Sequence, residues 1–534
     1  MLKVRKIAIN FLLVSAFISC NSKTIQAEEE VEKPNIILIL ADDMGYSDIG
    51  CYGGEINTPN LDLLAENGIR FSQFYNAARC CPTRASLISG VYPHQAGMGA
   101  MVKTTEKASE GPYQGYLSRN CVTIAEVLKE AGYYTAGSGK WHVGEERPHW
   151  PTDRGFDNYY GLISGAANYF DITRGKRAGI KRHFAIDSTA YVPPNEGFYM
   201  TDAITENAVR FLDTASVKDE PFFLYIPYTA PHWPLHAKQE DIDKYRGKYM
   251  KGWDMLRQER YERMIKMGII DKTWGLSERN QQVTPWDDLD EDQKDQMDLL
   301  MSIYAAQVDC LDKGIGEVLS KLEAMGASDN TIVMFLSDNG GCEETGPFGQ
   351  DFWGNFWDGE ARPGSGDSYH SYGGSWANLS NTPFRKYKKR THEGGTATPF
   401  IVKWPKGDLK KGSLCHHPGH IIDIMATICD VADVNYPEAY KGNTIVPLQG
   451  ISFKPYITGE SEIRPRTLYW EHEGNRAIRK GDWKLVSMSD KPWELYDLSK
   501  DRSETSNLIE SKAEIANEMK HLYDKWAEKV GVGD

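Results

Sequence analysis

The stretch Pro34-Asn-Ile-Ile-Leu-Ile-Leu-Ala-Asp-Asp43 limits the fold more than any other part of the chain. Its apolar run from Ile36 to Leu40 has no polar alternation, which predicts a strand buried on both faces, the kind that parallel sheets contain. Parallel neighbours need long crossovers, and helix signals follow. "TPNLDLLAENG" reads as a short helix with Thr58 as N-cap, Pro59 in the first position and Gly68 at its end. "TIAEVLKEAG" repeats the design, with Thr123 and Glu126 as a capping box and Gly132 as the stop. Further strands are predicted at "YYTAGSG", "PFFLYIPYTA" and "NTIVMFLSDNG", and an amphipathic helix from Met301 to Met325 precedes the last of them. The alternation implies an α/β body, a large, mostly parallel or mixed central sheet flanked by helices.

From about Arg464 the texture changes. In "RTLYWEHEGNRAIRKGDWKLVSMSDKPWELYDL" apolar and charged residues alternate between turn signals such as Lys480-Gly481-Asp482, which predicts a small antiparallel sheet, closed by a helix from about Lys512. The expected organisation is a leader and tether over residues 1–27, a main domain over 34–440 and a small α+β domain over 441–534. Between Gly340 and Asn381 runs a long segment rich in Gly, Trp and Asn with little periodicity, and long ordered loops are usually functional.

Residues Met1 to Cys20 carry Lys3, Arg5 and Lys6 ahead of an apolar run from Ile7 to Ile18, the layout of an export signal and too short to span a bilayer. The run ends "FISC", which resembles a bacterial lipoprotein cleavage box with Cys20 lipidated; a plain signal cut near Ala27 is the alternative. The chain is therefore expected in the periplasm or on the outer membrane through a lipid anchor. Eight further cysteines are too widely and irregularly spaced for a small disulfide framework and read as buried hydrophobes. The net charge of −14 argues against nucleic acid as a partner, and an anionic substrate would need a local positive pocket.

Open α/β sheets bind ligands at the carboxyl ends of their strands. Asp42 and Asp43 end the first predicted strand, and Asp338 and Asn339 end a much later one. Three carboxylates and an amide oxygen suit Ca²⁺ or Mg²⁺ and lack the His and Cys ligands that zinc favours. Each pair alone also reads as an ordinary turn after a strand.

The segment "CCPTRASLISG" has the form C-x-P-x-R-x-x-x-x-[ST]-G and resembles the signature of the formylglycine-dependent sulfatases of the alkaline phosphatase superfamily. Companion motifs follow in family order: "GSGKWHVG" with Lys140 and His142, "YTAPHWPLH" with His232, and "YKKRTHEGG" with Lys388 five residues before Glu393. The resemblance runs from about Pro34 to Asn507 and looks most like bacterial arylsulfatases. It implies an alkaline phosphatase-like fold, one Ca²⁺ held by Asp42, Asp43, Asp338, Asn339 and the side chain at Cys80, and oxidation of Cys80 to Cα-formylglycine (3-oxoalanine). A formylglycine-generating or anaerobic sulfatase-maturating enzyme is the implied partner for that step. One hydroxyl of the hydrated aldehyde would attack sulfur and the other would expel sulfate.

In that scheme Arg84, Lys140 and Lys388 neutralise the sulfuryl oxygens. His142 takes the proton of the second hydroxyl, His232 assisted by Lys388 protonates the leaving oxygen, and Asp338 both binds metal and activates the attacking hydroxyl. Lys140, His232 and Lys388 would also contact substrate. Thr83 stands where many members have Ser. His94, His236 and His472 fit no motif, and His472 reads equally as a pocket residue or a structural one.

The expected substrate is a sulfate monoester, arylsulfatase-like and in vivo a sulfated carbohydrate, since "DFWGNFWDG" and "GGSWAN" offer aromatic faces; core packing explains those tryptophans equally well. The alternatives are a phosphodiesterase or phosphonate hydrolase of the same superfamily and a non-catalytic glycan-binding lipoprotein.

Overall fold

In the computed structural model the run Ile36–Leu40 lies within the strand Asn35–Ala41, whose residues from Ile36 onward are completely buried. It pairs in parallel with Phe222–Pro227 on one side, Ile36 opposite Phe223, and with Thr331–Ser337 on the other, Asn35 opposite Thr331. Successive side chains feed opposite cores: Ile37, Ile39 and Ala41 enter one, Ile36, Leu38 and Leu40 the other. A strand with apolar demand on both faces has no polar side to show, which is why its sequence does not alternate. The structure describes residues 32–103, 111–174, 182–344, 346–349, 361–460 and 465–533. The leader and tether expected over residues 1–27, Cys20 among them, and the "DFWGNFWDG" stretch lie outside these residues.

The central sheet has ten strands, in the order Ser413–Cys415, Ile69–Phe71, Phe400–Lys403, Thr331–Ser337, Asn35–Ala41, Phe222–Pro227, Tyr134–Ser138, Asn158–Leu162, Phe184–Ile186 and Thr189–Ala190. The five strands from Thr331–Ser337 to Asn158–Leu162 are mutually parallel, and both flanks include antiparallel pairs. The helices Pro59–Glu66, Met200–Ser216 and Glu291–Ala324 cover one face. Cys80–Ser89, Ile124–Glu130 and Asp423–Val431 cover the other.

The capping box forms as read: Thr123 Oγ1 accepts from Glu126 N at 3.0 Å and Glu126 Oε2 from Thr123 N at 2.9 Å. The long helix predicted over Met301–Met325 begins earlier, at Glu291, behind a second capping box of Asp290 and Gln293. Its opening "EDQKDQ" is polar, so the apolar stripe that marks the rest is missing there. The Gly340–Asn381 segment also departs from expectation, since Gly373–Ser380 is helical. Its Trp376 offers no face to a sugar. The indole is fully buried, ring centroids of Trp253 and Trp286 lie 5.2 and 5.8 Å away, and its N–H donates to the Met297 carbonyl at 2.8 Å. All cysteines in the described residues are buried and unpaired, as expected.

The C-terminal sheet orders Thr467–His472, Asn475–Lys480, Trp483–Ser487 and Glu494–Asp497 as antiparallel neighbours, and the helix Ala513–Val530 closes over Ile478, Leu485 and Leu495 through Met519, Tyr523 and Trp526. A buried ionic knot ties this sheet to the loop that leads into Glu393. Lys484 Nζ lies 2.8 Å from Glu393 Oε1 and 2.9 Å from Glu504 Oε1, and Arg502 Nε lies 2.7 Å from Glu393 Oε2. The Tyr75 hydroxyl donates to Glu393 Oε2 at 2.9 Å. Burial alone would raise the Glu393 pKa, but Lys484 and Arg502 outweigh burial and hold it at about 2.

A carboxyl whose pKa falls from 4.5 unfolded to about 2 folded stabilises the protein fully above pH 4.5 and loses that contribution as pH falls toward 2. At 1.36 kcal/mol per unit the contribution is about 3 kcal/mol. Glu393→Gln should therefore lose about 3 kcal/mol at pH 7 and flatten the acid limb of stability between pH 4.5 and 2. Urea midpoints across that pH range test this, and a parallel acid limb in the variant would assign the acid sensitivity to other groups.

Candidate active site

The carboxyl ends of four neighbouring parallel strands deliver most of the singled-out side chains to one edge of the sheet. Asp42 and Asp43 follow Asn35–Ala41, and Asp338 and Asn339 follow Thr331–Ser337. Lys140 and His142 follow Tyr134–Ser138, and His232 lies five residues past Phe222–Pro227. Cys80 and Arg84 come from the first turns of Cys80–Ser89, and Lys388 from the loop before Glu393. Left-handed backbone at Asp43, Ala78, His142 and Lys389, with φ between 58° and 78°, turns the chain sharply at these points. Such conformations are uncommon outside glycine and cluster where a site over-determines the backbone.

The turn before the helix is pinned atom by atom. Ala78 N donates to Asn76 Oδ1 at 2.8 Å, Lys389 N to the Ala78 carbonyl at 2.6 Å, and Ala77 N to Thr83 Oγ1 at 2.9 Å. The hydroxyl at position 83 is thus a structural acceptor, a role that a Ser hydroxyl would also fill. Cys80 is consequently fixed at the positive end of a ten-residue helix that is buried throughout.

Three carboxylates here face three cations. Arg84 Nε and Nη2 donate to Asp338 Oδ2 at 3.1 and 2.9 Å, Nη1 donates to the Lys140 carbonyl at 2.9 Å, and Nη2 lies 3.4 Å from Asp42 Oδ2. Lys140 Nζ donates to Asp42 Oδ2 at 2.5 Å, and Lys388 Nζ lies 2.7 and 2.8 Å from the two Asp43 oxygens. All six side chains are buried. Burial would raise the Asp42 pKa, but Lys140, His232 and Arg84 hold it below the usual carboxylate range. Burial and the Asp42 charge push Asp338 up. Burial would discharge Lys388, yet Asp43 keeps it protonated, and Asp338 with Asp42 does the same for Arg84.

Two oxygens are left over. Asp42 Oδ1 and Asn339 Oδ1 are buried and accept from no donor among the described residues. Buried acceptors are normally satisfied, so a pair of bare oxygens beside Asp43 and Asp338 fits a hard cation. Asn339 spends its amide group as a donor, to Asp43 Oδ1 at 2.6 Å and to the Gly340 carbonyl at 2.9 Å, which leaves its oxygen turned the other way.

The sulfurs of Cys80 and Cys81 and a His142 ring nitrogen lie within 4.8 Å of one another. His142 Nε2 lies 3.2 Å from Cys81 Sγ. A hydrogen bond from Cys81, with Lys140 and His142, holds the Cys80 thiol well below the thiol range against burial. Burial lowers His142 to about 4, so its ring is neutral near pH 7 and able to accept a proton. His232 Nδ1 lies 2.5 Å from the Trp233 carbonyl, and since a carbonyl only accepts, that nitrogen carries a hydrogen. Its Nε2 faces Asp43 Oδ2 at 3.5 Å, and its side chain keeps 12% exposure, so this imidazole borders solvent.

Every residue singled out from the motifs converges here. Two neighbours were not read from the sequence: Arg79 Nη1 pairs with Glu344 Oε1 at 3.5 Å, joining the residue before Cys80 to the loop after Asp338. The only local signal for Glu344 was its place in a Gly-rich run behind a strand-ending acid. The unassigned histidines lie in structural contacts. His94 Nε2 lies 2.7 Å from Glu471 Oε2, His236 lies between Tyr169 N and the Ser368 carbonyl, and His472 Nδ1 is 3.3 Å from the Gly99 carbonyl.

Residues 34–434 match the family model described as Sulfatase, and residues 384–529 match that of the N-sulphoglucosamine sulphohydrolase C-terminal region. An uncharacterized sulfatase of Schizosaccharomyces pombe is 33% identical over 538 residues, covering 95% of each chain. The arylsulfatase of Klebsiella aerogenes is 33% identical over 81% of this chain and 95% of its own. Among solved structures, Ps i-CgsB in complex with k-i-k-neocarrahexaose superposes with a TM-score of 0.67 at 28% identity, over 93% of both chains.

If the Thr83 hydroxyl matters only as the acceptor for Ala77 N, Thr83→Ser should stay within about 0.5 kcal/mol of the parent. Thr83→Val leaves a buried N–H unpaired and should cost about 1–3 kcal/mol. Urea denaturation of the two variants separates these outcomes.

Proposed function

Because the chain belongs to the sulfatase family and is a sulfuric ester hydrolase, we propose that it removes sulfate from a sulfated carbohydrate, with formylglycine at position 80 as nucleophile and Ca²⁺ at the oxygen cluster. The observation that carries this reading is the arrangement of three buried cations and two bare oxygens around the start of the Cys80 helix. Asp42, Asp43, Asp338 and Asn339, with the oxidised side chain at position 80, would hold the ion. When present, the ion and the hydrated aldehyde supply charge neutralisation and a pair of geminal hydroxyls, one to attack sulfur and one to release sulfate.

The remaining steps fall to the chain's own groups. Without the ion, three carboxylates balance three cations; a divalent ion leaves a net charge of about +2, suited to a sulfate ester and its sulfate product. Lys140 and Lys388 sit beside Asp42 and Asp43 and are placed to bind the sulfuryl oxygens, while Arg84 orients Asp338. Neutral His142, buried beside position 80, is placed to take a proton from it. His232, fixed by Trp233 and open to solvent on one side, is placed to protonate the departing alkoxide. A carbohydrate as that alcohol is supported by the hexaose in the Ps i-CgsB complex.

Mass spectrometry of the peptide around position 80, from natively matured protein cut with a protease other than trypsin, should find formylglycine. Such protein should hydrolyse an aryl sulfate in preference to aryl phosphates, and Cys80→Ala should abolish that turnover. Lys388→Ala should lower kcat/KM by about 10²–10³, the loss expected for one preorganised charge. An unmodified cysteine in native material would instead favour a glycan-binding role, and faster phosphodiester or phosphonate hydrolysis would favour that class.

Ca²⁺ at about one hundred times its Kd should raise unfolding stability by about 2.7 kcal/mol, reversed by a chelator. Asp42→Ala should remove the increment, and calorimetric titration of both proteins with CaCl₂ reads it directly. No Ca²⁺-dependent change in the matured parent would remove the ion from this proposal.

A further inference from the structure

Beside the catalytic cluster lie two cavities, of about 540 and 330 Å³, that share Gln282, Glu343 and Arg390 in their walls. The smaller reaches Tyr387, the residue before Lys388, and Glu344, which pairs with Arg79 next to Cys80. The larger extends away from the catalytic residues and is lined by Asn280, Gln281, Gln282 and Asn378, side-chain amides of the kind that meet sugar hydroxyls. The two adjoin through these shared walls, and the smaller nears the catalytic cluster at Glu344, which feels the charges of Lys388, Arg79 and His232; together they are large enough for more than one sugar ring.

The basic residues of this groove are not equivalent. Arg279 pairs with Asp254 at 2.8 Å, Arg390 with Glu343 at 3.5 Å, and Arg385 donates to the Tyr496 hydroxyl and the Glu504 carbonyl at 3.0 and 2.7 Å. Lys386 has no carboxylate within 4 Å among the described residues, although it is half-buried between Arg385 and Arg390. Burial, then the charge of Arg385, lowers its pKa, and Glu343 and Glu494, both beyond 4 Å, offset this only in part, so an anion at its ammonium group would relieve both effects. Its backbone is fixed in the left-handed region at φ 71°, with its carbonyl accepting from Asn381 Nδ2 at 3.1 Å. A long cation held in an uncommon backbone conformation, with no described carboxylate within 4 Å, is free to meet an anion from outside.

Resting on the reading of the protein as a carbohydrate sulfatase, we infer that this groove takes the non-reacting part of the glycan and that Lys386 holds a second sulfate group on it. The substrate class is then an oligosaccharide sulfated more than once, with the second sulfate on a sugar beside the one that reacts. Arg390 and Arg385 already face carboxylates of their own, Glu343 and Glu494, at 3.5 Å each, and chiefly shape the groove.

The test measures inhibition of aryl sulfate turnover by matched di- to hexasaccharides carrying one or several sulfate groups. The parent should be inhibited at least tenfold more tightly by multiply sulfated members than by their singly sulfated counterparts, and the preference should shrink as salt rises. Lys386→Asn, chosen because Asn tolerates the left-handed conformation, should reduce the preference about tenfold, and Lys386→Arg should retain most of it. Equal preference in the parent and Lys386→Asn, or no preference in the parent, would overturn the inference. Failure of the matured parent to hydrolyse the aryl sulfate at all would instead count against the sulfatase mechanism on which it rests.

Discussion

Three carboxylates brought together inside a protein cannot stand without compensation, and much of the architecture around Asp42, Asp43 and Asp338 answers that demand. Each receives its own cation, Lys140, Lys388 and Arg84, and each cation comes from a different element: a strand end, a long loop and a helix. Removing any one partner would leave a buried charge uncompensated, a loss of several kcal/mol. The pairing therefore fixes how these elements approach one another, and it gives Arg84 a reason to sit one helical turn beyond Cys80. The same charges that hold the site together are the ones a sulfate ester would meet.

The demand propagates outward. Lys388 reaches Asp43 from a loop whose backbone takes left-handed turns at Lys386 and Lys389, and whose downstream end is held at Glu393 by Lys484 and Arg502. The small antiparallel sheet thus anchors the Lys388 loop through charge, in addition to packing its own helix. A layer that sequence texture marks off as distinct is energetically part of the site, which explains why Lys484, Arg502 and Glu393 are fully buried although far apart in sequence.

What the sequence disclosed was what short-range patterning encodes. The unbroken run Ile36–Leu40, the Thr123–Glu126 box and the strand-ending acids depend on neighbours within a few residues, and all were legible. Cys80, Arg84, Lys140, His142, His232 and Lys388 were legible only because four motifs recur in family order; spacing alone does not bring residues 42 and 388 together. The early turns of Glu291–Ala324 were missed because a polar helix start carries no apolar stripe. Whether Trp376 faced a sugar or the core stayed open in the sequence, because burial among Trp253 and Trp286 is decided by residues more than eighty positions away. The Arg79–Glu344 and Glu393–Lys484 pairs, and the placement of Lys386 away from any described carboxylate within 4 Å, are likewise products of tertiary placement.

The overall charge of −14 and an anionic substrate are reconciled by distance. At physiological ionic strength exposed charges are screened beyond about 8 Å, so the global field contributes little to an encounter that begins at the groove. Inside it the dielectric falls and the few cations near Cys80 act at contact range, where screening is weak. Recognition built this way gains no long-range steering and rejects anions that lack the right spacing of charges. If Lys386 holds a second sulfate as inferred, selectivity arises from the geometry that separates Lys140 and Lys388 at the proposed reacting end from Lys386 along the groove. A glycan matching one position but missing the other forfeits the contact without being drawn in by the rest of the surface.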